Sequence, residues 1–389
     1  MKFSAPAIAL ALAGIASGCL VAPPRQELAA REGRVRAERT DRAQAVAEAL
    51  DELLPRVLET LPGTRHPRLE VWVQDVPALY AFQKSAYSDA DGFYAEGMQR
   101  IHLREGSEHL ARTLAHELVH ASLDDSWDTL PGTLEEGLCD VVSAQLVPDA
   151  AARLSAGRLS SAAFATGGLV IDVELSLPTG TPDEIDDVRW SARMRLDGEP
   201  RVRVDPLRAF DVQAGLSTSS LSSAEKRSYY GVAFLVVRRI VERVGFEGLH
   251  ELCEQASADG LAVVPTEVLL DAAGIDRSQV GLREAIEASI GARELSELVR
   301  AHPEFLVATI ARFLGPICQR TRPGAGLDEL RVRVRVAGSA DEGLLLPSLE
   351  SLRPRLAEAR PDLVLPEAAG VPGPVAVRPA ALASATERR

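Results

Sequence analysis

Leu114-Ala115-His116-Glu117-Leu118-Val119-His120-Ala121 decides how the rest of this chain is read. On a helix, side chains four apart stand one above the other, about 5–6 Å apart at Cβ. His116 and His120 can therefore both reach one Zn²⁺ through bonds of about 2.0–2.1 Å. Glu117 lies beside the first imidazole, where it can take a proton from a water activated at the metal. Two solvent-facing histidines would be the bland alternative. The apolar stripe Leu110, Leu114, Leu118 speaks against it, because it embeds the helix. A catalytic zinc needs a third protein ligand and one open corner. The segment Leu130-Pro131-Gly132-Thr133-Leu134-Glu135-Glu136-Gly137-Leu138-Cys139-Asp140 offers it. Glu136 opens a second helix after enough chain to turn back, and Asp140, one turn further on the same face, is placed to accept the free N–H of a ligand histidine. Thr133 with Glu136 would also make a capping box, which is the competing use of that glutamate.

An HExxH helix followed by a helix bearing Glu-Gly, with an acid four residues after that Glu, resembles the gluzincins, the thermolysin-like peptidases and the related peptidase MA-like group. Pro131, Leu134, Glu136, Gly137 and Leu138 match the family's wording around its third ligand, whereas Thr133 stands where Trp is usual and Cys139 where Ala is usual. The resemblance implies a zincin-like core with His116, His120 and Glu136 as zinc ligands. It also implies Glu117 as the catalytic base and Asp140 behind a ligand histidine. Gly92-Phe93-Tyr94 through Arg100-Ile101-His102-Leu103 stands where the family's substrate-carrying edge strand lies. Ser228-Tyr229-Tyr230-Gly231-Val232-Ala233 resembles the helix start where related aminopeptidases hold a Tyr against the oxyanion. Aligned on Ala233, Tyr230 is the counterpart, with Tyr229 as the near alternative. Two Tyr packing a helix start would look the same. The aminopeptidase subgroup is disfavoured, since Gly97-Met98-Gln99-Arg100 lacks its Gly-any-Met-any-Asn signature.

The N-terminus reads as an address. Met1-Lys2 is followed by apolar or small residues over 3–15 and then by Ala16-Ser17-Gly18-Cys19. This is too short to span a bilayer and has the form of a secretory leader. Its end resembles the bacterial lipobox, which implies lipidation of Cys19 and removal of residues 1–18. A soluble secreted protein cut nearby is the alternative. Residues 19–40, polar and charged, read as a tether. Residues 41–255 read as the catalytic domain: a helix over 41–61, a strand through Leu69, Val71 and Val73, a second strand over 93–103, the zinc helix from a cap at Ser107, and the helix over 134–146. Residues 150–225 are mixed, with strand-like stretches at 169–177 and 201–204. Helices resume over 229–244 and 247–255, and a helical part covers 256–318. A strand around Leu330, Val332, Val334 and Val336 precedes a Pro- and Ala-rich tail within 319–389. Helix, strands, then many helices is an α+β order.

Composition removes several other classes. A formal charge of −13 disfavours nucleic acid as the partner, because phosphate binding needs a basic surface. Aromatics at 4% disfavour a stacking platform for bases or sugars. The run over 231–237 is followed at once by Arg238-Arg239 and reads as a buried helix, not a membrane span. His109 shares the histidine face but lies about 10 Å along the axis, too far for the same metal. His66, His250 and His302 lack companion ligands. Cys139 lies three positions after Glu136, near enough for its thiol to approach, although a small buried residue is the simpler reading. The sequence therefore suggests a lipid-anchored, extracytoplasmic zinc metallopeptidase of the bacterial envelope, acting on a peptide or protein. The rival is a non-enzymatic envelope lipoprotein that uses the same fold as a binding or scaffold module. Oligomeric state has no signature here.

Overall fold

Gln26–Ala30 (β1) and Gly33–Ala37 (β2) pair antiparallel, Gln26 opposite Ala37 through Ala30 opposite Gly33, in a computed structural model of the chain. It describes residues 20–84, 90–166, 169–177, 188–196, 204–210, 221–301, 331–340 and 342–345. The tether expected over 19–40 is thus corrected: its stretches 26–30 and 33–37 belong to the main sheet. Charge density misleads there because it alternates with apolar residues. Val35 and Ala37 have no exposed surface, while Arg36 points the other way and pairs with Glu70 at 2.8 Å. Leader residues 1–18, Cys19, Cys318, residues 201–203 and the tail beyond 345 lie outside the described residues.

The fold is a mixture of helices and two small sheets. The larger has the order β1-β2-β3-β5-β4, with β3 at Leu69–Gln74, β4 at Gly92–Ala95 and β5 at Arg100–Arg104. β2, β3 and β5 run parallel, and β4 is an antiparallel edge strand. The single strand expected over 93–103 is two strands. The short turn Glu96–Met98, with Gln99 at a left-handed φ of 49°, folds one half back on the other. One face, Val35, Val71, Val73, Ile101 and Leu103, is fully buried. Against it pack α1 (Thr40–Thr60), on β1 and β2, and α2 (Leu110–Ser122), on β4 and β5.

Then follow α3 (Gly132–Leu146), α4 (Pro148–Ala165), α5 (Ser223–Ala258), α6 (Thr266–Ala273), α7 (Gln279–Ser289) and α8 (Ala292–Ala301). α4 falls partly in the stretch read as mixed. Its small side chains are buried on more than one side, Ala156, Leu159, Ala162 and Ala163 among them, so no single stripe marks it as a helix. α5 bends at Gly245, φ 76°, where the sequence suggests a break, and then runs across 255–256 without one. The chain forms two compact units. The first is residues 1–171, 195–301 and 335–342, so the boundary expected after 255 does not divide it. The second, residues 172–194, 302–334 and 343–389, draws on a four-stranded sheet of order β7-β6-β8-β9. These strands are Val188–Leu196, Leu169–Leu177, Arg331–Val336 and Leu344–Leu345. β6 and β8 fall where the sequence places strands. No described helix is long and apolar enough to cross a membrane. Residues 232–237 are buried inside the first unit.

The other face of the main sheet carries a row across three strands: Trp72, His102 and Phe93 stand opposite one another. His102 is fully buried, stacks on Phe93 with centroids 4.7 Å apart, and donates from Nδ1 to Gln74 Oε1 at 2.8 Å. Burial pushes its pKa down to about 3. The unfolded imidazole, near 6.5, accepts a proton that the folded one refuses, so stability is lost as pH falls from about 6.5 towards 3. We expect H102Q to remove that component. Between pH 6.5 and 5 the wild type should lose about 2 kcal/mol more than the variant in urea unfolding; parallel pH profiles would contradict it. A chain starting at residue 38 should melt well below the full chain, since it lacks β1 and β2; a tether would leave the midpoint unchanged.

Candidate metal centre

α2 presents His116 and His120 one turn apart because Leu114 and Leu118, with no exposed surface, anchor its other side. The loop that follows is fixed rather than free. Asp124 accepts from the Ser126 N–H at 2.9 Å, and the Trp127 indole donates to the Pro62 carbonyl at 3.0 Å. It delivers Pro131 as the residue before α3, with no side-chain cap. The capping-box use of Glu136 is therefore not made, and its carboxylate turns to the imidazoles instead.

Glu136 Oε2 lies 3.1 Å from His116 Nε2 and 3.5 Å from His120 Nε2. Each imidazole is held from behind by its other nitrogen. His116 Nδ1 donates to Asp140 Oδ1 at 3.1 Å, as the spacing suggests, and His120 Nδ1 donates to Glu135 Oε1 at 2.6 Å. The rings stand edge to face with centroids 5.2 Å apart. Cys139 comes closer than its sequence reading implies: one ring nitrogen of each histidine and the Cys139 sulfur all lie within 4.8 Å of one another. His116, His120 and Cys139 form a cluster that can hold a metal ion.

Four carboxylates, Glu117, Glu135, Glu136 and Asp140, gather around two imidazoles, with Arg158 paired to Asp140. Burial works to lower the basicity of His116, but its hydrogen bonds to Asp140 and Glu136 outweigh that and lift it to about 9. His120 is raised too, against the effect of burial, with Cys139 and Glu136 the main opposing influences. Burial would raise Glu136, yet the two histidines hold it well below the usual carboxylate range. Burial pushes the Cys139 thiol up to about 12. The carboxylates that draw protons onto these imidazoles would also attract a divalent cation, which would bind in place of those protons. Glu117, 6% exposed, is raised chiefly by burial, while the histidines pull it down. The Tyr94 backbone of the edge strand β4 also acts to lower it.

Behind the centre, the fully buried Asp140 receives Arg158 Nε on Oδ2 at 2.5 Å. Of the two tyrosines, Tyr230 is the one set against the centre. Arg158, which pairs with Asp140, lies over the Tyr230 ring at 4.7 Å, and burial holds the phenol protonated. Tyr229 is buried in α5 packing, 4% exposed. His109 precedes the first turn of α2 and is not part of the cluster. His66 pairs with Glu32 and His250 with Ser126, each away from the cluster; His302 lies outside the described residues. Sequence reading missed Glu135, Tyr94 and Arg158. The Glu-Glu doublet was the only signal for the first, and nothing local marks the other two.

Two glycines set the helix spacing that assembles this group. A Cβ on Gly137 of α3 would stand 2.6 Å from the Ala233 backbone of α5, and one on Gly231 would stand 2.5 Å from the Ala162 nitrogen of α4. Backbone cannot yield as a side-chain tip does. G137A should therefore lose about 1–3 kcal/mol by overpacking instead of gaining the ~1 kcal/mol that Gly→Ala gives in an open helix. Thermal and urea unfolding measure it, and a stabilised variant would contradict the close approach.

Compared with protein-family models, with curated proteins and with solved structures, the chain matches none.

Proposed function

We propose that the chain is a zinc-dependent peptide hydrolase of the gluzincin type, with one Zn²⁺ held by His116, His120 and Glu136. The observation that carries this reading is the position of Glu136 Oε2, 3.1 and 3.5 Å from the two Nε2 atoms. Four ligands at ~2.0–2.1 Å in a tetrahedron stand about 3.3 Å apart, so these separations suit donors sharing one zinc. Two imidazoles and a carboxylate are also the donor set of open, catalytic sites.

Zinc, when bound there, polarises a carbonyl and makes a water more acidic. Glu117 takes the proton of the attacking water and passes it to the leaving amine, and its raised pKa suits both halves of that task. Asp140 and Glu135 fix the tautomer and tilt of His116 and His120, so that each presents Nε2. Tyr230 donates to the oxygen that gains charge only in the transition state. The edge strand β4 receives an extended peptide by strand addition. The backbone of its Tyr94 lies close enough to act on the Glu117 carboxylate, so the strand runs beside the base. Lipidation at Cys19 would hold the enzyme at the bacterial cell envelope, outside the cytoplasm.

A second reading has one observation behind it. With Cys139 as a fourth protein ligand the site would be closed, as structural zinc sites are, and the chain would be a binding or scaffold module. The two readings part on variants. E117Q should keep one zinc per chain and lose hydrolysis of a mixed peptide library by at least about 10²-fold. E136A should lose zinc, and C139A should keep both zinc and hydrolysis. Zinc lost in C139A but kept in E136A would contradict the hydrolase, as would undiminished cleavage by E117Q.

A further inference from the structure

We propose that Arg158 is a positioning residue that sets two groups at once, His116 through Asp140 and Tyr230 through the face of its own guanidinium. The inference rests on the hydrolase reading above.

Arg158 Nε donates to Asp140 Oδ2 at 2.5 Å, while Asp140 Oδ1 receives His116 Nδ1 at 3.1 Å. One carboxylate thus takes both partners, one on each oxygen. Arg112, at 4.0 Å, is beyond hydrogen-bond reach of the same carboxylate. Asp140 has no exposed surface, so Arg158 is the cation that balances it at contact. A buried carboxylate deprived of that partner would be free to turn, and a turned carboxylate no longer holds His116. The guanidinium of Arg158 also lies 4.7 Å from the Tyr230 ring centroid, a cation–π distance. The main chain adds to the hold, because the Arg158 carbonyl packs directly against Gly231, next to Tyr230. Lys cannot replace this arrangement. Its ammonium is one point charge: drawn onto Asp140 it cannot also lie flat over the phenol ring as the guanidinium does, so the contact with Tyr230 is weakened. Arg158 touches neither the metal nor the reacting atoms, so its effects should appear through His116 and Tyr230.

The experiment uses the full chain and separates these two arms. R158M should weaken zinc binding about 10–100-fold in competition with a chelator, in protein that still melts cooperatively. R158K keeps a cation beside Asp140, so it should hold zinc within a few-fold of wild type but lower kcat on a library peptide about tenfold at unchanged KM. That pattern marks an interaction made only in the transition state. Because the loss runs through Tyr230, R158K added to Y230F should cost nothing beyond Y230F alone. Wild-type zinc affinity in R158M, wild-type kcat in R158K, or losses that multiply in the double variant would each overturn the proposal. If R158M does not fold, the kcat and double-variant results for R158K decide. If wild type binds zinc but cleaves no peptide, the hydrolase reading fails, and the zinc affinity of R158M alone upholds or overturns the hold on His116. A wild-type chain that takes up no zinc overturns both.

Discussion

Asp140 has no contact with solvent, and the rest of the centre depends on how its charge is balanced. An isolated carboxylate in that position would cost several kcal/mol. It is tolerated because His116 meets one oxygen and Arg158 the other. The arrangement joins three helices. α3 supplies the carboxylate, α2 the imidazole and α4 the guanidinium, while α5 lies close against α3 and α4 where Gly137 and Gly231 allow it. The same buried contacts therefore serve stability and aim His116 Nε2 towards Glu136.

The parts of this centre that a helix brings together were legible in the sequence. His116 and His120 share a face by their spacing of four, and so do Glu136 and Asp140. Parts contributed by separate elements were not. Arg158 lies 18 residues beyond Asp140 on another helix, and Tyr94 sits on a strand. Glu135 was obscured differently: adjacent residues on a helix point about 100° apart, yet Glu135 and Glu136 still reach two edges of one imidazole, because His120 projects between them.

The fold shows the same division. Alternation in β6 and β8 and the stripe of α1 gave those elements away. The charges between Val35 and Ala37 disguised β2, and burial on several sides disguised α4. The sheet topology, with β4 folded back at the edge, follows from the turn at Glu96–Met98 and the left-handed Gln99, which local pattern does not announce. That turn sets the edge strand β4 beside the helix that carries Glu117.

On the proposed reading, chemistry at the centre turns on which donors would take the metal. A carboxylate third ligand leaves a corner for water and substrate, whereas a thiolate added to it would close the site. Glu136 Oε2 already faces both imidazoles, at 3.1 and 3.5 Å from their Nε2 atoms. X-ray absorption at the zinc edge of the loaded, full-length protein tests this most directly. The account predicts only nitrogen and oxygen neighbours near ~2.0–2.1 Å, two of them imidazoles. A sulfur neighbour at ~2.3 Å, or a shell without imidazole, would contradict it.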